Sequence, residues 1–475
     1  AQRIYDYASK TWFGFSSPIL SNAGTSKGLP ISCFLNYVPD SREGLSKHYD
    51  ENIWLASNGG GIGGYWGAVR SDGTSTSHGS KSTGSIPFMR VVDSQMLAFN
   101  QGTTRRGSYA CYMDISHPEI EEFLFMRKSS GGDANRKCLN LHHGINITDD
   151  FMTAVNKNID WKLIDPHSKK VAKSINAREL WRLILETRHE TGEPYLHFVD
   201  TSNKSLPETQ KKLGLSIKQS NLCSEITLPT DEDRTAVCCL SSVNLAKYDE
   251  WSTSPTFIPD MVRMLDNVLE HFIQATYDFS YDYKGDVLEM KVKEGMEGFT
   301  KAGYSAYRER SLGLGAMGFH TYLQKLNVPF EGPIATGQNL KMFRQIKELA
   351  NKTSMELAEE RGEAPDMEGT GMRNAHLLAI APNATSSIIC GGTSPSIEPI
   401  RANVFIHKTL NGSFQVRNRQ LHNLLKQKWN NSEELQKEYD SDYQQFKDKI
   451  WQSISENTGS VKHLNFLTDL EKDVF

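Results

Sequence analysis

Five residues carry the chemistry that this sequence offers. Asn221-Leu222-Cys223-Ser224-Glu225 sets an amide, a thiol and a carboxylate at alternate positions. In an extended segment, residues i, i+2 and i+4 point to one side. Asn221, Cys223 and Glu225 then converge, while Leu222 and Ser224 face away. Such a group can bind, abstract hydrogen and accept protons. The plain alternative is a buried cysteine between solvent-facing polar residues. Val237-Cys238-Cys239-Leu240 lies within the strand-like run 236–245. Neighbouring strand residues face opposite ways, so at most one of those two thiols serves a given site and the other packs as a small hydrophobe. Ser32-Cys33 enters the apolar run 31–38. A lone cysteine there is core packing unless another thiol lies opposite it.

Two further segments suit an anionic ligand. Ala381-Pro382-Asn383-Ala384-Thr385-Ser386-Ser387 follows the apolar run 377–380 and reads as strand, tight turn and short helix. Helix N-termini bind phosphate through free N–H groups without Lys or Arg; an ordinary capped turn is the alternative. Gln101-Gly102-Thr103-Thr104-Arg105-Arg106-Gly107 is a polar loop with two arginines, able to contact phosphate or a base, or simply solvated. The run 59–64 (GGGIGG) permits close backbone approach. It follows a helical pattern rather than a strand, and so is not a dinucleotide fingerprint. No C-x-x-C or H-E-x-x-H occurs, and Cys138 with His142-His143 fits no zinc spacing, so no metal is expected.

The elements that must position these residues alternate in type. Helical periodicity covers 43–58, 118–128, 177–191, 261–283, 337–361 and 432–457, with strand-like runs at 31–38, 141–147, 236–245, 311–318 and 377–380. That alternation predicts one large α/β domain with mostly parallel strands. Residues 71–85 are Gly, Ser and Thr rich and read as a mobile surface loop. The Glu- and Lys-rich part from about 411 reads as surface helices. The chain has 475 residues, 38% hydrophobic and 23% charged, enough apolar material for a large core. A net charge of −4 lacks the basic footprint of a nucleic-acid binder, so any anionic ligand is held by local geometry. No apolar run reaches the ~20 residues of a membrane span. Seven cysteines are too few for a disulfide scaffold, and with no signal segment they point to the cytoplasm.

Taken in order, these motifs resemble the catalytic large subunit of ribonucleotide reductase. The likeness runs from about Trp12 to about Val404 through Ser17-Pro18-Ile19-Leu20, Ile31-Ser32-Cys33, Asp40-Ser41, the glycine run, the 101–107 loop, N-x-C-x-E, C-C-L-S and P-N-A-T-S-S. It implies a ten-stranded α/β barrel of two antiparallel five-stranded halves around a central finger loop. Residues 1–410 would form the barrel domain and 411–475 a truncated helical part of it. Cys223 would then be the thiyl radical that abstracts the substrate 3′-hydrogen, Glu225 the base for the 3′-hydroxyl and Asn221 the group that orients it. Cys33 and Cys238 would reduce the 2′ position and close to a disulfide, which requires Cα atoms within about 7 Å. The motif C-x-L-S selects Cys238 over Cys239.

The same resemblance assigns the substrate diphosphate to Ser17, Ser32, Asn383, Ala384, Thr385 and Ser386. A nucleoside triphosphate effector falls to Asp40, Ser41 and Arg70, with the 71–85 loop beside it, and the effector–substrate loop to Gln101 and Arg105. The chain would bind no cofactor directly. Its radical would come from a metal-containing small subunit, or from adenosylcobalamin in the cobalamin-dependent class. A homodimer and re-reduction by thioredoxin or glutaredoxin are implied as well. The sequence shows no activity-control domain ahead of residue 1, no Tyr-Tyr pair and no C-terminal Cys pair. It therefore reads as a fragment, or as a nucleotide-binding piece completed by a C-terminal polypeptide.

Overall fold

Strand-forming runs separated by helical segments return the chain repeatedly to the same sheet edge, which makes the neighbouring strands parallel. A computed structural model describes residues 1–25, 28–31, 33–77, 79–99, 107–282, 287–409 and 412–475. The strands are β1 (Phe13–Phe15), β2 (Cys33–Tyr37), β3 (Gly61–Tyr65), β4 (Ser108–Asp114), β5 (His142–Ile147), β6 (Asp160–Ile164), β7 (Val171–Asn176) and β8 (Tyr195–Phe198). They continue with β9 (Ala236–Val237), β10 (Leu240–Asn244), β11 (Tyr277–Tyr281), β12 (Val287–Val292), β13 (Gly313–Met317), β14 (Val404–Thr409) and β15 (Gly412–Arg417).

The main sheet has the order β8-β5-β4-β3-β2-β9. Its first five strands are mutually parallel, and β9 runs antiparallel to β2. After a break at Cys238-Cys239 the chain resumes as β10, parallel to β13 and antiparallel to β1. A parallel bridge from Leu314 to Leu378 adds another segment. One five-stranded parallel half is thus complete, and three segments of opposite direction lie beyond it. Among the described residues the ladder does not close into a ring.

Local chemistry explains where the elements depart from periodicity. The helix Ala177–Thr191 begins at the cap Asn176 and ends at Gly192 (φ 78°), as its pattern predicts. The helical reading of 261–283 is corrected: the helix Phe257–Thr276 gives way to β11, where the alternating Tyr-Asp-Phe-Ser-Tyr sequence favours a strand. The pattern over 432–457 splits into helices Glu433–Glu438 and Tyr443–Glu456, parted by Asp440 and Ser441 at positive φ. Residues 377–380 contribute one bridge rather than a strand. The C-terminal helices are not merely surface elements, because Leu421, Trp429, Phe446 and Trp451 form a core of their own there. Nor are the ends of 71–85 loose: Ser71 donates from N and Oγ to Asp165 (2.8 Å each), and Ser85 from N and Oγ to Glu119 (2.8 and 2.9 Å).

The glycine run builds β3, and its composition has a packing cause. A Cβ on Gly63 would lie 2.1 Å from the Ser220 carbonyl oxygen and 2.7 Å from Asn221 Cα. Only glycine lets the segment around 220 lie directly on the sheet. Gly63→Ala must push that segment away, at a cost of about 1–3 kcal/mol. Denaturant unfolding should show the loss with secondary structure by circular dichroism retained; an unchanged midpoint would contradict this packing.

Candidate functional site

The segment between β8 and β9 crosses the C-terminal ends of the parallel strands and is tied to four of them. Gln219 Nε2 donates to the carbonyls of Asn36 on β2 (2.9 Å) and Gly63 on β3 (3.2 Å). Tyr112 on β4 donates from its hydroxyl to the Asn221 carbonyl (2.8 Å). Asn146 on β5 donates to the Lys218 carbonyl (2.6 Å). Thr230 closes the base by donating to Gln219 Oε1 (2.8 Å), and Ser220 Oγ spans the loop to the Ile226 carbonyl (2.6 Å). Neither Gln219 nor Tyr112 stood out in the sequence; their only signal was polarity beside an otherwise apolar pattern.

The expectation that 221–225 is extended is corrected. Leu222 and Cys223 form a turn, Ser224 has φ 65°, and Ser224 N donates to the Asn221 carbonyl (3.2 Å). The cause is the Asn221 side chain, fully buried, whose Oδ1 accepts from both Glu225 N and Ile226 N (3.0 Å each). An asparagine that satisfies two downstream amides stabilises a turn over a strand. Cys223 therefore stands exposed at the tip, with Asn221 and Glu225 on the turn's two arms.

The two remaining thiols are brought together by strand register. Phe34 pairs with Val237 and Leu35 with Ala236, so Cys33 opposes Cys238, and Cys238 N donates to the Cys33 carbonyl (3.1 Å). Opposed residues of this kind lie about 5.5 Å apart at Cα, within the about 4.4–6.8 Å range that a disulfide spans. Asn221 Nδ2 donates to Cys33 Sγ (3.1 Å), joining the turn to the pair. Cys238 packs with Leu35, Ile226 and Leu228, whereas Cys239 faces the main core and reaches the Leu265 carbonyl (3.5 Å). The opposite-face expectation for this pair holds.

Burial sets the protonation of the site. It pushes the Cys238 thiol well above the ordinary range, with further help from Cys33 and the nearby Glu225 carboxylate. It also raises Glu225 above the usual carboxylate value, against the stabilising contact from Asn221. A buried, protonated thiol and a carboxyl of raised basicity thus face the same turn.

Ser17 opens the short helix Ser17–Asn22, just after β1. The Asn383 turn lies against β1, where a Cβ on Gly14 would meet Ser386 Cβ at 3.5 Å. Asn383 (φ 54°) donates to the carbonyls of Ala316 (3.1 Å) and Ala381 (2.9 Å) and accepts from Ser386 Oγ (3.0 Å). Ala384 and Thr385 are exposed on that turn. Ser32, Gln101 and Arg105 lie outside the described residues.

Asp40, Ser41 and Arg70 also meet. Arg70 Nε donates to both Asp40 oxygens (3.0 Å each), and His167 Nδ1 lies 3.0 Å from Asp40 Oδ2. Ser41 caps the helix Arg42–Ser57, accepting from Gly44 N (2.9 Å). Asp40 and Ser41 line a cavity of about 730 Å³ whose two lysines, Lys169 and Lys218, no sequence motif had marked. Among the described residues, no group of three or more His, Cys, Asp or Glu side chains could hold a metal ion. Among those residues too, no helix is long and apolar enough to cross a membrane.

Known proteins resemble this chain along its length. The ribonucleotide reductase barrel domain matches residues 31–370 and 365–464. A putative ribonucleoside-diphosphate reductase large subunit of Frog virus 3 (isolate Goorha) is 48% identical over 475 residues, covering all of this chain and 77% of the relative. The large subunit of Invertebrate iridescent virus 3 is 43% identical over 529 residues, covering all of this chain and 78% of its own length. Among solved structures, the Actinobacillus ureae class Id ribonucleotide reductase alpha subunit superposes with a TM-score of 0.81 at 33% identity, over all of this chain and 77% of that one. With these matches running its full length, the chain belongs to the ribonucleotide reductase large-subunit family.

Proposed function

We propose that this chain reduces ribonucleotides, ribonucleoside diphosphates foremost, to deoxyribonucleotides by thiyl-radical chemistry. The observation that carries the reading is the opposition of Cys33 and Cys238 beneath the turn that bears Asn221, Cys223 and Glu225. The Cys223 thiyl takes the 3′-hydrogen, forming an S–H bond and leaving a radical at the sugar carbon. Glu225 accepts the 3′-hydroxyl proton and Asn221 holds that hydroxyl in place. The 2′-hydroxyl departs as water with a proton from the dithiol. Cys33 and Cys238 together give two electrons and two protons and become a disulfide. Cys223 then returns its hydrogen to C3′, becoming the thiyl again, and Glu225 returns its proton to the 3′-oxygen. The balance is ribonucleotide plus dithiol to deoxyribonucleotide, water and disulfide.

The raised Cys238 thiol suits this sequence, since it stays protonated until it must supply the leaving hydroxyl. The radical reaches Cys223 from a separate metal-containing small subunit, in keeping with the class Id neighbour. Ser17, Ser32 and residues 383–386 hold the diphosphate; Asp40, Ser41 and Arg70, beside the 730 Å³ cavity, take a nucleoside triphosphate effector whose state Gln101 and Arg105 relay. Residues 1–410 form the catalytic domain and 411–475 the C-terminal part of the same domain, joined to it by the β14–β15 pairing and by Asn418 Nδ2, which donates to Gln324 Oε1 (3.2 Å). A dithiol protein of the thioredoxin or glutaredoxin kind restores the pair.

In the complex with the small subunit, Cys223→Ser should abolish deoxynucleoside diphosphate formation while nucleotide binding persists. Wild-type turnover by that variant would refute the assignment, and turnover with adenosylcobalamin and no small subunit would move the chain to the cobalamin class. The raised Glu225 carboxyl fixes a second outcome. As pH falls through its pKa, Glu225 binds a proton and can no longer accept one, so kcat should fall along an acidic limb lying above the ~4.3 of an ordinary glutamate. Glu225→Gln should lose about 10²–10⁴-fold in kcat and with it that limb. A limb persisting unchanged in this variant would exclude Glu225 as the base.

A further inference from the structure

Glu225 also lines a small cavity of about 70 Å³. Cys238, Ser311, Gly313, His376 and Ala379 line it as well. At about 30 Å³ per molecule it accommodates about two waters. Two polar atoms of its lining, Glu225 Oε2 and His376 Nε2, are buried and have no hydrogen-bond partner within the protein. Two such atoms on one cavity are costly unless a bridging group satisfies both. Ser311 Oγ already donates to Glu309 Oε2 (3.1 Å), so its remaining capacity is to accept.

We propose that this cavity is a built water site, and that His376 acts through its water as a positioning residue for Glu225. The inference rests on the role given to Glu225 above. Whichever ring nitrogen of His376 carries the proton, the bridging water keeps one O–H to donate to Glu225 Oε2. That contact would hold Oε2 and leave the other oxygen to accept the 3′-hydroxyl proton. Burial brings His376 down to about 4, so the ring stays neutral through the working pH range and adds no charge of its own. The other titratable groups facing Glu225 are Cys238 at the strand break and Tyr112 on β4, both held protonated by burial. No Lys, Arg or second carboxylate lines the cavity among the described residues.

The test uses the active complex. His376→Leu removes a donated hydrogen bond from the carboxylate, which raises its pKa. The acidic limb of kcat should therefore move up by about one pH unit, with kcat lowered and KM little changed. His376→Gln, whose amide still reaches the water, should return the limb toward its wild-type position. A His376→Leu profile that superimposes on the wild type overturns the proposal. So does a high-resolution crystal structure of the wild-type chain with no water between Glu225 and His376, a readout that holds even if the leucine variant fails to fold. Absence of reductase activity in the wild-type complex would instead count against the ribonucleotide reading, leaving the crystallographic result to judge the cavity separately.

Discussion

The antiparallel register between β2 and β9 determines what the rest of the molecule can do. Cys33 and Cys238 are far apart in sequence, and a slip of one residue would turn one thiol to the opposite face. Several groups hold the register. Thr235, just ahead of β9, donates to Glu51 Oε1 (2.5 Å) on the helix Arg42–Ser57, and Asn36 of β2 donates to Glu51 Oε2 (3.3 Å) and Asn52 Oδ1 (2.9 Å). Burial raises the Glu51 carboxyl above its ordinary range, while the contacts from Thr235 and Asn36 act against that shift. One helix thereby clamps both strands that carry the thiols. The break at Cys238-Cys239 lets the same chain leave one sheet and join the next without losing the pairing at Cys33.

The second layer of constraint is the loop laid across the strand ends. Its backbone leaves the regular ladder, so its buried polar groups need partners from elsewhere. Gln219, Tyr112, Asn146 and Ser220 supply them, and Asn221 uses its side chain three times, twice to cap the turn and once on Cys33. Such buried hydrogen-bonded networks fix geometry more than they add net stability. Fixed geometry suits radical chemistry, which needs the abstracting sulfur held at one place. Exposure of Cys223 at the tip, with Asn221 and Ile226 buried at the base of the turn, separates the atom that must react from those that must not move.

Much of this was legible in the residues, and the failures have physical causes. The helix Ala177–Thr191 follows its periodicity, and Cys238 and Cys239 face opposite ways as expected, although the strand breaks between β9 and β10 at that pair. Motif order then pointed to a family that the matches along the chain bear out. The turn at 221–225 was not legible, because alternation of polar types suits a strand as well as a turn. Only the placement of Asn221 Oδ1 over two amides decides between them. β3 was hidden because its glycines answer to contacts distant in sequence, Gly63 to the Ser220 backbone and Gly64 to the Tyr109 ring. His376 carried no motif, and its interest arises only from the cavity that it shares with Glu225.

Peptide mapping after a single turnover, without external reductant, tests the central geometry most directly. A prereduced complex given substrate once should yield one new cross-linked peptide pair, joining Cys33 to Cys238, in proportion to the deoxynucleotide formed. Deoxynucleotide formed while both thiols remain free, or a bond from either to Cys239, would contradict the account.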